Sequence, residues 1–110
     1  MAKKIVFKYK DKDYTLEYNR DSVRQMEAQG FSIIDIDSKP LTTISTLFAG
    51  AFLMHHRNVA TNRNLCDEIY RSFSRRDELI AALVEMYQEP VLSLLDEPED
   101  NEGNAWSGVD

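Results

Sequence analysis

The chain has 110 residues, 19 of them acidic and 13 basic, so its formal net charge is −6. That length fits one domain. One cysteine, Cys66, excludes an internal disulfide framework, and a hydrophobic share of 43% excludes a wholly disordered chain. The charge is unevenly placed. Residues 96–110 carry Asp96, Glu97, Glu99, Asp100, Glu102 and Asp110 without one Lys or Arg, leaving thirteen acids against thirteen bases over residues 1–95. A neutral body argues against binding nucleic acid through bulk charge.

Residues 4–9 alternate Ile5, Phe7 and Tyr9 with Lys4, Val6 and Lys8, and residues 14–18 alternate Tyr14, Leu16 and Tyr18 with Thr15 and Glu17. Period two marks strands with one buried face, so the pair predicts a β-hairpin joined by a polar KDKD link. The lysines around it, Lys3 to Lys12, read as protection of a strand edge. Asn19 or Asp21 suits the cap of a helix reaching about Gln29, with Val23 and Met26 inward and Gly30 as its stop. The FSIIDID stretch, residues 31–37, reads as a third strand or an irregular buried connector. Pro40 suits a first helical turn. The helix behind it is predicted to run to about Arg57, with Leu41, Ile44, Leu47, Phe48, Ala51, Phe52 and His55 as its inward set.

A polar RNVATNRN loop leads to a helix carrying Leu65, Ile69 and Phe73 at helical spacing. Ser74 and Asp77 suggest a capping box for a last helix. That helix places Leu79, Leu83, Tyr87, Val91 and Leu94 on one stripe, widened by Ile80, Val84 and Leu95. Pro90 predicts a kink or a break. The expected fold is α+β: an N-terminal β-hairpin packed on a small bundle of about four helices. Residues 1–95 form the domain, and residues 96–110 an acidic tail too polar to order itself. The longest apolar run, Leu47–Met54, is far shorter than the about 20 residues a membrane helix needs. No apolar segment follows the N-terminal lysines as in a signal peptide. A soluble intracellular protein is the expectation.

Chemistry is hard to find. His55 and His56 are the only histidines, and neighbours on a helix point about 100° apart, which suits a structural pair better than one metal site. Cys66, beside Leu65 on an amphipathic helix, reads as a small core residue rather than a nucleophile. Arg57, Arg63, Arg71, Arg75 and Arg76 are interleaved with Asp67, Glu68, Asp77 and Glu78, as on a mixed solvated face. No phosphate loop or dinucleotide fingerprint is present. Neither a catalytic site nor a cofactor or metal site is expected, so binding is the default. Trp106, alone in the acidic tail, has the area of a docking anchor, for its own domain or for a partner.

The order of pieces resembles the tail assembly chaperones of long-tailed bacteriophages and of prophages of Gram-positive bacteria. The resemblance runs over nearly the whole chain and rests on the SKP-to-LFAGAFLMHH segment (38–56), LIAALVEMY (79–87) and the closing EGNAW (102–106). It implies a non-enzymatic partner of the tape measure protein, a long helical chain kept soluble until tail tube subunits displace the chaperone. It further implies the host cytoplasm, absence from the mature virion and, in many family members, a frameshifted longer form. Phe48, Phe52, Met54, Met86 and Tyr87 are then candidates for self-association as a homo-oligomer and for client binding, with Met adapting to varied partners. Nucleic acid and membrane are not expected partners. The competing expectation is an acidic inhibitor or DNA mimic that occupies a basic site on a host protein.

Overall fold

The computed structural model describes residues 4–92. Strands β1 (Lys4–Tyr9) and β2 (Lys12–Glu17) pair antiparallel, Lys4 opposite Glu17 and Tyr9 opposite Lys12. The link is shorter than the sequence suggests: Lys12 and Asp13 belong to β2, and only Lys10 and Asp11 turn the chain. Both have positive φ, 48° and 66°, the pattern of the two-residue turn whose twist matches a hairpin. Tyr14, Leu16 and Tyr18 are buried on the inner face, and Ile5, Phe7 and Tyr9 pack beside them.

Helix α1 (Arg20–Ala28) begins at Asn19, not Asp21. Asn19 Oδ1 accepts the Ser22 N–H at 2.7 Å, and Ser22 Oγ accepts the Asn19 N–H at 2.9 Å. These reciprocal bonds satisfy two donors that the first turn leaves unpaired. At its other end Gly30, at φ +94°, lets the Phe31 N–H fold back to the Met26 carbonyl. Residues Ile33–Ile36 then form a 3-10 turn, neither a third strand nor an irregular connector. The two-stranded sheet offers them no pairing, and local bonds such as Asp35 N–H to Ser32 O take the backbone instead.

Helix α2 (Pro40–Gly50) is shorter than predicted. Past Gly50 the bonds tighten to three-residue spacing, with Phe52 N–H on Ala49 O and Leu53 N–H on Gly50 O. After that turn the supposed loop holds a single helical turn, α3 (Arg57–Ala60). Two contacts account for the break. A Cβ on Gly50 would collide with the Met26 side chain, its Sδ, Cε and Cγ all in the way, so α1 crosses α2 where a side chain is missing. Beyond it the chain bends to bond the free edge of β2, where the Glu17 N–H donates to Ala51 O at 3.0 Å. The inward set needs two corrections: Leu41 is 90% exposed, and His56 rather than His55 is the half-buried histidine.

Helix α4 (Arg63–Ser72) is capped by Asn62, whose Oδ1 accepts the Leu65 N–H at 3.2 Å. Helix α5 (Arg76–Leu92) closes its first turn with the Leu79 N–H on Arg75 O. Ser74 therefore stands one residue too early for the expected box. The helix continues through Pro90, close enough to its end that the missing N–H interrupts little. Leu79, Leu83, Met86 and Tyr87 are buried, whereas Val91 is exposed; Leu94 and Leu95 lie outside the described residues.

The expected architecture is present, a hairpin packed on a helical bundle. Among the described residues that bundle has five α-helices, one of them a single turn. Phe52, fully buried, is central to it. Its ring meets Phe48, Tyr14, His56 and Phe7 edge-on at 5.2, 6.0, 6.2 and 6.4 Å, a geometry worth roughly 0.5–1.5 kcal/mol per pair beyond area burial. Tyr18 donates its hydroxyl proton to Leu47 O at 2.6 Å and so ties the hairpin to α2. Tyr9 donates to Glu68 at 2.6 Å and ties the hairpin tip to α4.

Candidate functional surfaces

The histidines sit where the chain leaves α2, and they serve different partners. His56 Nε2 accepts the Thr15 N–H at 3.0 Å, so the ring is neutral with its proton on Nδ1. Burial, and then the neighbouring His55, hold its pKa below the ordinary histidine range. His55 Nε2 lies 2.8 Å from Glu17 Oε1. With Ala51 O on Glu17 N–H, these contacts close the outer edge of β2. Their consequence is architectural: a covered edge cannot template pairing with another chain. An open polar recess of about 620 Å³ lies in front of the pair, lined in part by Lys12, Asp13, Asn58 and Asn62. No group of three His, Cys, Asp or Glu side chains among the described residues could hold a metal ion.

Cys66 is buried and points its thiol at Val59 O, 3.1 Å away. Burial pushes its pKa up to about 11, opposite to what a thiolate nucleophile needs. The arginines do not converge. Arg57 donates to Gln25 Oε1 at 3.0 Å, Arg63 to Ser45 Oγ at 3.4 Å, and Arg75 pairs with Glu78 at 3.4 Å. Arg76 donates to Phe73 O and lies over the Tyr70 ring at 5.9 Å. Of the lysines, Lys8 faces Asp13 at 3.9 Å and Lys10 faces Glu68 at 3.5 Å. The Tyr9 hydroxyl and then Lys10 draw the Glu68 carboxyl below its ordinary range.

The proposed partner-binding set divides sharply. Phe48, Phe52, Met86 and Tyr87 are core residues, each no more than 4% exposed. Their helical spacing is equally that of an inward stripe, which is why the sequence alone did not separate the two roles. Met54 is 42% exposed. Trp106 lies outside the described residues.

The open apolar surface lies elsewhere. Between α2 and α4 runs a groove of about 250 Å³ walled by Pro40, Leu41, Ile44, Phe48 and Tyr70. Ser45 and Asp67 supply its polar atoms. Phe48 reaches it as the floor, its ring 5.3 Å from Tyr70. Ile34, 83% exposed, stands out from the 3-10 turn that packs against α2. The signal was in the sequence: α2 carries more apolar arc than one core face can use, and Leu41 and Ile44 are the excess.

A family model described as a domain of unknown function (DUF5055) matches residues 1–109. No curated protein matches the chain, and no solved structure does.

Proposed function

The chain belongs to the DUF5055 family, and we propose that this member is a phage tail assembly chaperone that binds the tape measure protein. The observation that carries the reading is the sequence resemblance over nearly the whole chain, from the SKP-to-LFAGAFLMHH segment to EGNAW. Two features of the body support it. Exposed apolar side chains, Ile34, Leu41 and Met54, remain beside a complete core. The residue types that suggest chemistry, His55, His56 and Cys66, are engaged in holding the fold.

In this reading Phe48, Phe52, Met86 and Tyr87 are scaffold, and client contact falls to exposed side chains. The protein works in the host cytoplasm without a cofactor and leaves before the virion is complete. The tail tube protein displaces it, and a homo-oligomer or a frameshifted longer form of the chain shares the client. Hydrophobic contacts through a few exposed side chains suit such a task, because binding must end when the tube polymerises.

Co-expression with the tape measure protein of the same tail gene cluster tests this. The client should stay in the soluble fraction and co-purify only when the chain is present. A client whose solubility does not depend on the chain contradicts the proposal.

A further inference from the structure

The α2–α4 groove has three properties that together describe an occupant. It holds about 250 Å³, below the range of drug-sized ligand pockets, which is the scale of one large side chain. Its walls are aliphatic and aromatic, and Asp67 and Ser45 offer acceptors. Cationic groups stand beside two of its lining residues: Arg63 donates to Ser45, and Arg76 lies over Tyr70. A flat apolar ring with one N–H donor, carried on an acidic segment, fits all three.

The chain contains one such element. Trp106 is its single tryptophan and follows Asp96, Glu97, Glu99, Asp100 and Glu102, with no basic residue between Leu92 and Asp110. An indole donates one hydrogen bond and accepts none, which suits a groove whose lining includes a carboxylate. Reach is sufficient. Thirteen residues lie between Leu92 and Trp106, and the fourteen steps from one to the other span up to about 46 Å when extended. A body of this size has a radius of gyration of about 12 Å. The family model, moreover, runs through residue 109 and so includes this segment in the domain it defines.

We propose that residues 93–110 dock on their own body, with the Trp106 indole in the groove between α2 and α4 and the preceding acids facing Arg63 and Arg76. The contact covers Leu41, a side chain the chaperone reading also leaves to the client, but it is tested without any client. It assigns the −6 charge a place: the acidic segment meets the two arginines.

Trp106 is its own reporter. In the full chain its fluorescence should be blue-shifted relative to N-acetyltryptophanamide and severalfold less quenched by acrylamide, at every protein concentration. Leu41→Asp, at a position already exposed and so harmless to the fold, should shift the emission red and restore quenching while leaving the far-UV circular dichroism unchanged. Raising the salt should weaken protection in the wild type, because the arginine contacts are screened. Emission like that of the free fluorophore in the wild type overturns the proposal. So does a protected indole that Leu41→Asp leaves protected, since it is then buried elsewhere. Protection that grows with protein concentration also overturns it, because the groove then takes the tail of a second copy.

Discussion

Helix α2 leads from the α2–α4 groove at its start to the histidine corner just past its end, and the two regions invert what their residue types suggest. At the corner, two adjacent histidines, a glutamate and a strand edge look like the beginnings of a reactive site. Each is already spent: Thr15 N–H on His56, His55 against Glu17, Glu17 N–H on Ala51 O. At the groove, ordinary core-type residues remain open, Leu41 most of all. The lesson is that a side chain's availability is fixed by its partners, not by its chemistry. Among the described residues no buried side-chain nitrogen or oxygen lacks a partner, so what the body leaves unmet is apolar.

The largest test of this contrast compares Phe52 with Leu41. Phe52→Ala empties the centre of the aromatic cluster and should cost about 3–5 kcal/mol in urea unfolding. Leu41→Ala, on the same stretch of chain, should fall within about 0.5 kcal/mol of wild type. Comparable losses would mean that Leu41 belongs to the core as Phe52 does.

His56→Ala comes next. It removes the acceptor of the Thr15 N–H and a ring packed on Tyr14, and should cost about 1–3 kcal/mol. His56→Gln keeps an acceptor in the position and should recover part of that loss. A smaller step follows from Tyr18→Phe, which deletes the bond to Leu47 O and should cost about 1 kcal/mol with an unchanged fold.

Acid should act on the corner and leave the groove alone. The folded pKa of His56 lies below that of the unfolded chain, so over the interval below about 6.5 the unfolded state binds more protons. Stability then falls as pH drops through that interval. Urea midpoints at pH 7.5 and 5.5 should separate more in the wild type than in His56→Gln, and equal separations would remove His56 from the account.

The parts of the fold that were legible are those set by neighbours in sequence. Alternation gave the hairpin, Asn19 and Gly30 bounded α1, and the Leu79–Leu83–Tyr87 stripe marked α5. What escaped depended on contacts across the chain. α2 ends at Gly50, where the Met26 side chain packs close against the backbone and the next residue bonds the edge of β2. The segment Ile33–Ile36 coils because the sheet has no strand to pair with it. Leu41 and Leu47 look alike as residues, yet Leu47 is fully buried and Leu41 is 90% exposed. The site was half legible for the same reason: periodicity placed Phe48, Phe52 and Tyr87 on inward stripes and left Met86 off them, and only packing showed all four to be interior.

The central claim is that the groove is the surface at which this chain makes a contact, while the histidine corner is closed. Acrylamide quenching of Trp106, measured side by side in Leu41→Asp and His55→Gln, addresses both halves. The account predicts a severalfold rise in quenching for Leu41→Asp and wild-type protection for His55→Gln. Equal quenching in the two variants, whether raised or unchanged, would contradict it.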